Sequence, residues 1–451
     1  MEKAFLIAIF AILPFKSVIG APSPIDLITQ NSRQISQSRS PLFGDNYGAQ
    51  VLSPSEMTDT LSFQTALALS TTNNPQLQAA LYTIRLTQAE SIQQSMSPNP
   101  ELDIEVENFA GTGEFGGLGA LESVISIGQQ IEISGKRWKR IEAADYRTNL
   151  AIWDYRVKEL EIYSAVTECY IQLIAAQNEI YMTEEILSLA ENFRTNVEKR
   201  VSAGKLSPSA LSRAEVEVMR TNMELKRTKR ILEEKRIHMA ALFGENKLSF
   251  SVISGELVSA RPLPPVEKLT GLLENNPKLA RWSTERAYRN SILKLANASR
   301  IMDPIISAGF KNIQDTGDIA FSVGVSIPLP VFNRNEGSIL KATESITQSN
   351  WEESSVRTQL QSELESAYIL LIQLEDEILG YEKKLIPESE LAYDIVSKDY
   401  TQGKFGFLEV LDAERMLFDI KHYYLDLLLE YNLAIAYVEI LINEKLSGSY
   451  N

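Results

Sequence analysis

The sequence DYTQGKFGFLEVLDAE, from Asp399 to Glu414, predicts the tip of a helical hairpin. Apolar residues at helical spacing lead to Gly403, and glycine accepts the left-handed backbone that commonly ends a helix. A second apolar stripe leaves the turn through Val410 and Leu411. The stretch therefore predicts two long helices joined by a short turn.

The same phrase occurs about 200 residues earlier as KRVSAGKLSPSALSRAE, from Lys199 to Glu215. Gly204 and Lys205 stand where Gly403 and Lys404 stand in the later copy. A second pair of phrases matches as well, since Asn74-Pro75 recurs as Asn276-Pro277. Asparagine followed by proline is typical of a helix N-terminus. The chain is therefore predicted to be a duplicated unit.

Composition restricts the class of protein. The chain has 451 residues and a formal net charge of −15, which argues against a nucleic-acid partner. A single cysteine, Cys169, excludes an internal disulfide framework. Residues 1–20 have the pattern of a secretory signal peptide, and residues 21–58 read as a polar N-terminal linker. No later apolar run reaches the ~18 residues of a spanning helix, so a membrane crossing would require strands.

Two pairs of segments alternate strictly between apolar and polar or small residues. They predict strands over 101–108 and 123–133 in the first half, and over 304–312 and 318–329 in the second. Their lengths suit a tilted strand that crosses a bilayer. Four strands cannot close a membrane barrel, and an open edge cannot lie in lipid, so several copies must combine their strands. The alternative is a soluble sheet packed on another domain.

Two segments predict long helices, 136–202 and 336–402, and the first of them contains no proline or interior glycine. The first would be about 100 Å long, so its apolar stripe must pair with other helices as a coiled coil. The second contains Pro387, which is expected to loosen the turn before it. The predicted organisation is then a first repeat over 59–245, a linker over 246–265, a second repeat over 266–445 and a tail over 446–451.

This duplicated pattern resembles the TolC-like outer-membrane factors, also called outer membrane efflux proteins, over about residues 60–445. Three further phrases are more similar to the heavy-metal-cation branch of CzcC- and CusC-like proteins: Asn99–Asn108, Glu132–Arg137 and Ser326–Asn335. The resemblance implies a mainly α fold with transmembrane β, built from two helix–helix–strand–strand–long helix–helix units. Three copies would form an α-barrel, or coiled-coil tunnel, continuous with a shared 12-stranded β-barrel.

The resemblance also implies a location and partners. The barrel would lie in the lipid of the cell outer membrane, with the helical part in the periplasm. The homotrimer would meet a periplasmic adaptor, or membrane fusion protein, coupled to an inner-membrane pump of the resistance-nodulation-division (RND) class.

Glu409 and Asp412 are candidate gate residues. They are three residues apart and so share one face of a helix. The resemblance implies that they point into the narrow periplasmic end of the tunnel, where threefold symmetry would make a ring of carboxylates that holds cations. The alternative is that they are ordinary acids in the first turn of a helix.

Two further groups of candidate residues follow from the resemblance. The hairpin tips are expected to contact the adaptor, although a C-cap glycine followed by a cation is also ordinary helix-ending chemistry. Acids on the strands are expected to face the barrel lumen, although they equally suit the solvated side of a strand. The tip residues are Gly204, Lys205, Tyr400, Gly403 and Lys404, and the lumen residues are Asp103, Glu105, Glu107 and Glu132.

No catalytic, cofactor or metal site is predicted. His238 and His422 fall inside helices without a cysteine or histidine at metal-binding spacing. The sequence therefore predicts a non-enzymatic exit duct of a tripartite RND-type efflux system, with heavy-metal cations as the favoured cargo. One alternative keeps the duct and changes the cargo to drugs or secreted proteins. A second alternative is a periplasmic coiled-coil adaptor or scaffold without a pore.

Overall fold

The computed structural model describes residues 59–402 and 404–446. The predicted signal peptide (1–20), the whole polar linker (21–58), Gly403 and residues 447–451 of the predicted tail lie outside the described residues.

The first repeat contains a short strand, two short helices, two longer strands and a long helical hairpin. These are β1 (Thr60–Leu61), α1 (Phe63–Asn73), α2 (Pro75–Gln94), β2 (Glu101–Glu107), β3 (Glu122–Gln130), α3 (Lys136–Ser202) and α4 (Pro208–Leu242). With 67 residues, α3 extends over about 100 Å.

The second repeat follows the same order. After β4 (Val252–Ile253) come α5 (Val266–Leu272), α6 (Pro277–Ala280), α7 (Trp282–Ala298), β5 (Ile305–Ile313), β6 (Asp318–Ser326), α8 (Glu336–Gly380), α9 (Ile386–Thr401) and α10 (Phe407–Ile442). The mainly helical fold class predicted from the sequence is confirmed. We call α3 and α4 the first hairpin, and α8, α9 and α10 the second hairpin.

The two Asn-Pro phrases perform the same task in each repeat. The side-chain oxygen of Asn74 accepts hydrogen bonds from the backbone N–H groups of Gln76 (2.9 Å) and Leu77 (3.2 Å), which caps α2. Its Nδ2 donates to the carbonyl oxygen of Leu242 at 2.9 Å. Asn276 caps α6 and donates to the carbonyl oxygen of Leu441 at 2.9 Å. Each cap thus ties a short helix to the C-terminal end of its return helix.

The four longer strands form one antiparallel sheet in the order β2-β3-β5-β6. The pairing of β3 with β5 joins the two repeats, with Ser126 opposite Gly309. A Cβ at Gly309 would lie 2.5 Å from the carbonyl oxygen of Ile125, so only glycine fits at this crossing. In the described chain, β2 and β6 have no neighbour on their outer edges.

The second long helix is interrupted, which the sequence anticipated only in part. A single π-helical turn, Tyr381–Leu385, separates α8 from α9. Pro387 has no backbone N–H to donate to the carbonyl four residues earlier, which belongs to Lys383 in that turn. The long helix expected over 336–402 is therefore two α-helices joined by a wider turn just before Pro387.

The segment between the repeats has structure of its own. Strands β1 and β4 pair in parallel, with Thr60 opposite Val252 and Leu61 opposite Ile253. At the C-terminal end of the described residues, Leu446 is buried and its backbone N–H donates to Glu439 Oε1 at 2.8 Å. Residue 446 therefore belongs to the packed body and not to a free tail.

Three buried clusters hold the helices together. One surrounds α3 in the first repeat, and one lies between α8 and α10 in the second. The third lies at the hairpin tips. Within the described part of the chain, no helix combines the length and apolarity needed to cross a membrane.

Candidate functional site

The tips of the two hairpins pack against each other within one chain. Their buried cluster contains Val197 and Ala214 from the first hairpin and Phe407 and Val410 from the second. The ring of Phe193 stacks on that of Phe407 with a centroid separation of 5.3 Å. The two copies of the duplicated phrase thus meet in space.

Glu409 and Asp412 lie on the exposed side of this tip. Both are exposed, whereas Val410, Leu411 and Ala413 between and beside them are buried. Because the two acids are three residues apart in α10, their carboxylates share one face of the helix. Gly406 leaves space for the side chain of Glu409, since a Cβ at position 406 would lie 2.7 Å from Glu409 Oε2.

Tyr400 has a different environment from the one expected of a partner-contacting residue. Its side chain is only 5% exposed, and its ring lies under the guanidinium of Arg200 at 4.1 Å. Arg200 Nη2 also donates to the carbonyl oxygen of Tyr400 at 3.2 Å. Packing against the first hairpin covers the Tyr400 ring within one chain, and a contact between Tyr400 and an adaptor stays a prediction.

Of the remaining tip residues, Gly204, Lys205 and Lys404 are exposed, and Gly403 lies outside the described residues. Gly204 has φ of 69°, and the N–H of Lys205 donates to the carbonyl oxygen of Arg200 at 2.8 Å. In the second tip, the N–H of Lys404 donates to the carbonyl oxygen of Asp399 at 3.0 Å. Both turns close with the same bond spanning five residues, as in a Schellman motif. The side chains of Lys205 and Lys404 are exposed, and Lys404 Nζ lies 3.1 Å from Asp399 Oδ1.

A buried carboxyl group that the sequence did not single out lies behind the exposed acids. Glu414 is 4% exposed, whereas Glu215, its counterpart in the first copy of the phrase, is exposed. Burial and the neighbouring Glu217 raise the pKa of Glu414 to about 7, and Arg415 partly opposes this shift. Arg415 Nη2 lies 2.6 Å from Glu217 Oε2, which joins α10 to α4.

Of the two histidines, only His422 joins elements. Its Nδ1 lies 3.5 Å from Glu179 Oε1 on α3, and this hydrogen bond raises the pKa of the imidazole. His238 is exposed on α4. Among the described residues, no group of three or more histidine, cysteine or acidic side chains is arranged to hold a metal ion.

The strand acids lie on one face of the sheet. Asp103 is opposite Ser126, Glu105 is opposite Val124, and Glu107 is opposite Glu122. Directly paired residues share a face, so these side chains lie on the polar side. Lys311 from β5 lies on the same side and contacts Glu107 Oε2 at 3.5 Å and also Glu122.

The opposite face of the sheet is apolar and exposed. Phe321 is 87% exposed and Val323 80% exposed, although both belong to a regular strand. The other apolar residues that are exposed on this face are Leu102, Ile104, Val106, Ile127, Ile306, Ile319 and Val325. A continuous apolar face of this kind marks a surface that contacts another molecule or a membrane.

Glu132 does not lie on the strand where the sequence placed it. Strand β3 ends at Gln130, because Ser134 and Gly135 take left-handed backbone angles that turn the chain into α3. Glu132 pairs with Arg140, whose Nη2 lies 3.1 Å from Glu132 Oε2. Glu132 is therefore a paired group at the junction of strand and helix, and its place in a barrel lumen stays a prediction.

A second ion pair at this junction was not predicted. Lys136 Nζ lies 2.9 Å from Asp303 Oδ1, and both side chains are about nine-tenths buried. Asp303 also accepts from the backbone N–H of Ile133 at 2.9 Å. The pair joins the start of α3 to the start of β5, and so connects the two repeats. The only signal in the sequence was that Lys136 falls inside the quoted phrase Glu132–Arg137.

The chain, with its duplicated hairpins, four-stranded sheet and two packed tips, is similar in fold to solved structures of outer-membrane channels. A crystal structure of CusC, described for the conformational changes that accompany its folding and transmembrane channel formation, superimposes with a TM-score of 0.71. That comparison covers 88% of this chain and 96% of the CusC chain at 17% identity, which establishes the fold.

Residues 66–245 match the model of the outer membrane efflux protein family. Among its relatives, the cobalt-zinc-cadmium resistance protein CzcC of Cupriavidus metallidurans is 28% identical over 83% of this chain and 88% of CzcC. The pyoverdine export outer membrane protein OpmQ of Pseudomonas aeruginosa is 21% identical over 77% of both chains. The family resemblance predicted from the sequence is thereby confirmed.

Proposed function

We propose that three copies of this chain form a passive duct in the outer membrane, which serves as the exit of a tripartite RND-type efflux system. The observation that carries the proposal is the four-stranded sheet, with its exposed apolar face and its two open edges. Neither feature is stable for one copy, because apolar side chains avoid water and unpaired backbone groups avoid lipid.

A closed barrel resolves both problems. If β6 of each copy pairs with β2 of the next, three copies yield 12 strands and leave no edge. The apolar face then meets lipid, and the face with Asp103, Glu105 and Glu107 lines the lumen. Strands of seven to nine residues are close to the length that a tilted strand needs to cross a bilayer.

The helical part continues this duct through the periplasm. The hairpins extend away from the sheet, and their stripes of half-exposed apolar residues suit packing between copies in a tunnel. At the tips, Lys205, Lys404 and the turns at Gly204 and Gly403 are the proposed contacts of a periplasmic adaptor. Tyr400 is buried beneath that surface, where its ring contacts the guanidinium of Arg200.

Glu409 and Asp412 are the proposed cation-selective gate. Their shared exposed face supports this role, because three copies around an axis would bring six carboxylates together. Two like charges 4 Å apart repel by about 1 kcal/mol in water and by more as the surroundings dry. Such a ring attracts cations and repels anions.

Heavy-metal cations are the proposed cargo. The match to CzcC has higher identity and covers more of both proteins than the match to OpmQ, which favours a metal cation over a siderophore. The chain needs no catalytic centre for this task, because the inner-membrane pump would supply the energy. Drug or protein export keeps the same duct with another cargo, whereas an adaptor without a pore leaves the apolar sheet unexplained.

The gate is tested by the double substitution Glu409→Gln and Asp412→Gln. In planar bilayers with a KCl gradient, we expect the reversal potential of the variant to move toward zero, because the neutral ring no longer favours K⁺. Glu215→Gln, which neutralises an exposed acid near the tip of the first hairpin, is the control and should leave the potential unchanged. Equal cation selectivity in the wild type and the double variant would reject the ring.

A further inference from the structure

The segment between the repeats crosses both hairpins and is attached to each. We call residues Val252–Arg261 the strap. On the first hairpin, Gln177 of α3 holds it with two bonds: Nε2 donates to the carbonyl oxygen of Ile253 at 3.1 Å, and the N–H of Ile253 donates to Oε1 at 3.2 Å. Tyr170 Oη adds a bond to the carbonyl oxygen of Ser254 at 2.6 Å.

The second hairpin binds the strap through a matching pair of amide–backbone hydrogen bonds. The N–H of Val258 donates to Asn432 Oδ1 at 2.9 Å, and Asn432 Nδ2 donates to the carbonyl oxygen of Val258 at 2.9 Å. Three residues further on, the N–H of Arg261 donates to Tyr431 Oη at 3.1 Å. The amides of Gln177 and Asn432 bond to Ile253 and Val258, which are five positions apart in the strap. The strap therefore connects α3 to α10.

The strap also bonds to the π turn. Glu382, in the turn Tyr381–Leu385, accepts two hydrogen bonds on Oε1: one from Ser259 Oγ of the strap and one from Tyr424 Oη of α10, each at 2.6 Å. Burial and the Glu382 carboxylate raise the pKa of Tyr424, so its hydroxyl remains a donor at neutral pH. One carboxylate thus joins the strap, α10 and the interrupted helix.

Beyond the π turn, helix α9 has few contacts with the buried cores. Helix α9 contributes no residue to either of the two large cores, and in one chain Leu391 and Ile395 are half-exposed. Its next buried contact with the first hairpin is at the tip, through Tyr400. Segments with few buried contacts open at low free-energy cost. Helix α3, by contrast, passes the strap without a break.

We propose that the π turn is the hinge of the second hairpin and that the strap is its latch, closed by the bonds of Ser259 and Tyr424 to Glu382. With the latch closed, α9 stays aligned with α8 and the two tips remain packed. With the latch open, α9 and the start of α10 swing at the π turn and the tips separate. The hinge is a property of the single chain; only its consequence, a wider duct entrance, rests on the proposed function.

The test removes both hydroxyls with Ser259→Ala and Tyr424→Phe in the full chain, solubilised in detergent. Hydrogen–deuterium exchange is read by mass spectrometry on peptides from the π turn and α9. We expect exchange to be at least about tenfold faster there, because each hydroxyl donates to a charged acceptor. Ser254→Ala removes a hydroxyl from the same strap on its first-hairpin side and should leave these peptides unchanged.

Unchanged exchange in the double variant, or the same acceleration in Ser254→Ala, overturns the latch. Glu382→Gln provides a second variant, since it keeps the size of the side chain and removes its charge; acceleration at the same peptides is expected, and its absence also counts against the proposal. Conductance in bilayers is measured in parallel. Faster exchange with no conductance in any variant would reject the duct while leaving the hinge intact.

Discussion

At the residue scale, one pair of carboxyl groups shows how the same sequence phrase can have two different environments. Glu215 and Glu414 end the two copies of the tip phrase, yet only Glu414 is buried. It lies between α4 and α9, where Glu217, Arg415 and Tyr393 are the titratable or charged groups around it. Its protonation therefore depends on whether the tips are packed.

Tip packing should weaken as the pH rises. The pKa of Glu414 is about 7 with the tips packed and about 4.5 when the side chain is free in water, so the packed state binds the proton more tightly. The stabilisation is complete below about pH 4.5 and is lost as the pH rises through about 7. The upper limit of the effect is about 3 kcal/mol, from 1.36 kcal/mol per pKa unit.

We expect Glu414→Gln to remove this dependence, because glutamine stays neutral at every pH. The measurement is hydrogen–deuterium exchange of the Phe407–Leu417 peptide at pH 5.5 and 8, corrected for intrinsic exchange. Glu215→Gln is the control and should retain the wild-type pH dependence. A wild-type tip equally protected at both pH values would show that Glu414 is not coupled to tip packing.

At the element scale, each repeat is closed by an asparagine that caps a helix and bonds a distant carbonyl. Asn74 and Asn276 are both buried, at 3% and 2% exposure, and each connects residues more than 160 positions apart. The π turn is the element that distinguishes the two hairpins, since Pro387 has no counterpart inside α3.

Replacing Asn276 with alanine should lower the free energy of unfolding by about 1–3 kcal/mol, because a helix cap is lost and a buried carbonyl loses its donor. Asn297→Ala removes an exposed amide that bonds only within its own helix, and should change stability by less than about 0.5 kcal/mol. Urea denaturation in detergent measures both. Equal losses in the two variants would mean that the connection to Leu441 adds nothing.

At the scale of the whole molecule, the proposed barrel requires other copies of the chain. Adjacent residues Phe321 and Ser322 in β6 belong to opposite faces, since Phe321 is paired with Phe310 and Ser322 with Gly309. In the proposed barrel, the first side chain meets lipid and the second meets the lumen. These neighbours therefore form a matched pair for testing the orientation of the sheet.

Phe321→Glu should greatly reduce the amount of heat-modifiable trimer in outer-membrane fractions, since a charge on the lipid face costs up to about 2–4 kcal/mol per copy. Ser322→Glu places the same charge on the lumen face and should assemble normally. The measurement is gel electrophoresis of unheated and heated membrane extracts. Normal assembly of both variants, or a soluble monomer without detergent, would contradict the barrel.

The local patterns of the sequence predicted the fold class and the family, and both predictions are confirmed. Strict alternation along β5 and β6, helical spacing along α3 and the two Asn-Pro phrases depend on residues that are neighbours in the chain, so the sequence alone could reveal them. The same holds for the shared face of Glu409 and Asp412, which follows from helix geometry. Their place in a ring stays a prediction.

Other features depend on which distant segments pack together, and only the tertiary structure decided them. Tyr400 is buried because Arg200 and Phe193 from the first hairpin cover it, and Glu132 is paired because the chain turns toward Arg140. The strap owes its position to Gln177 and Asn432, which are 255 residues apart in the chain. Burial and pairing are properties of contacts, and a repeated phrase such as Ala214-Glu215 and Ala413-Glu414 carries no information about the differing neighbours of its two copies.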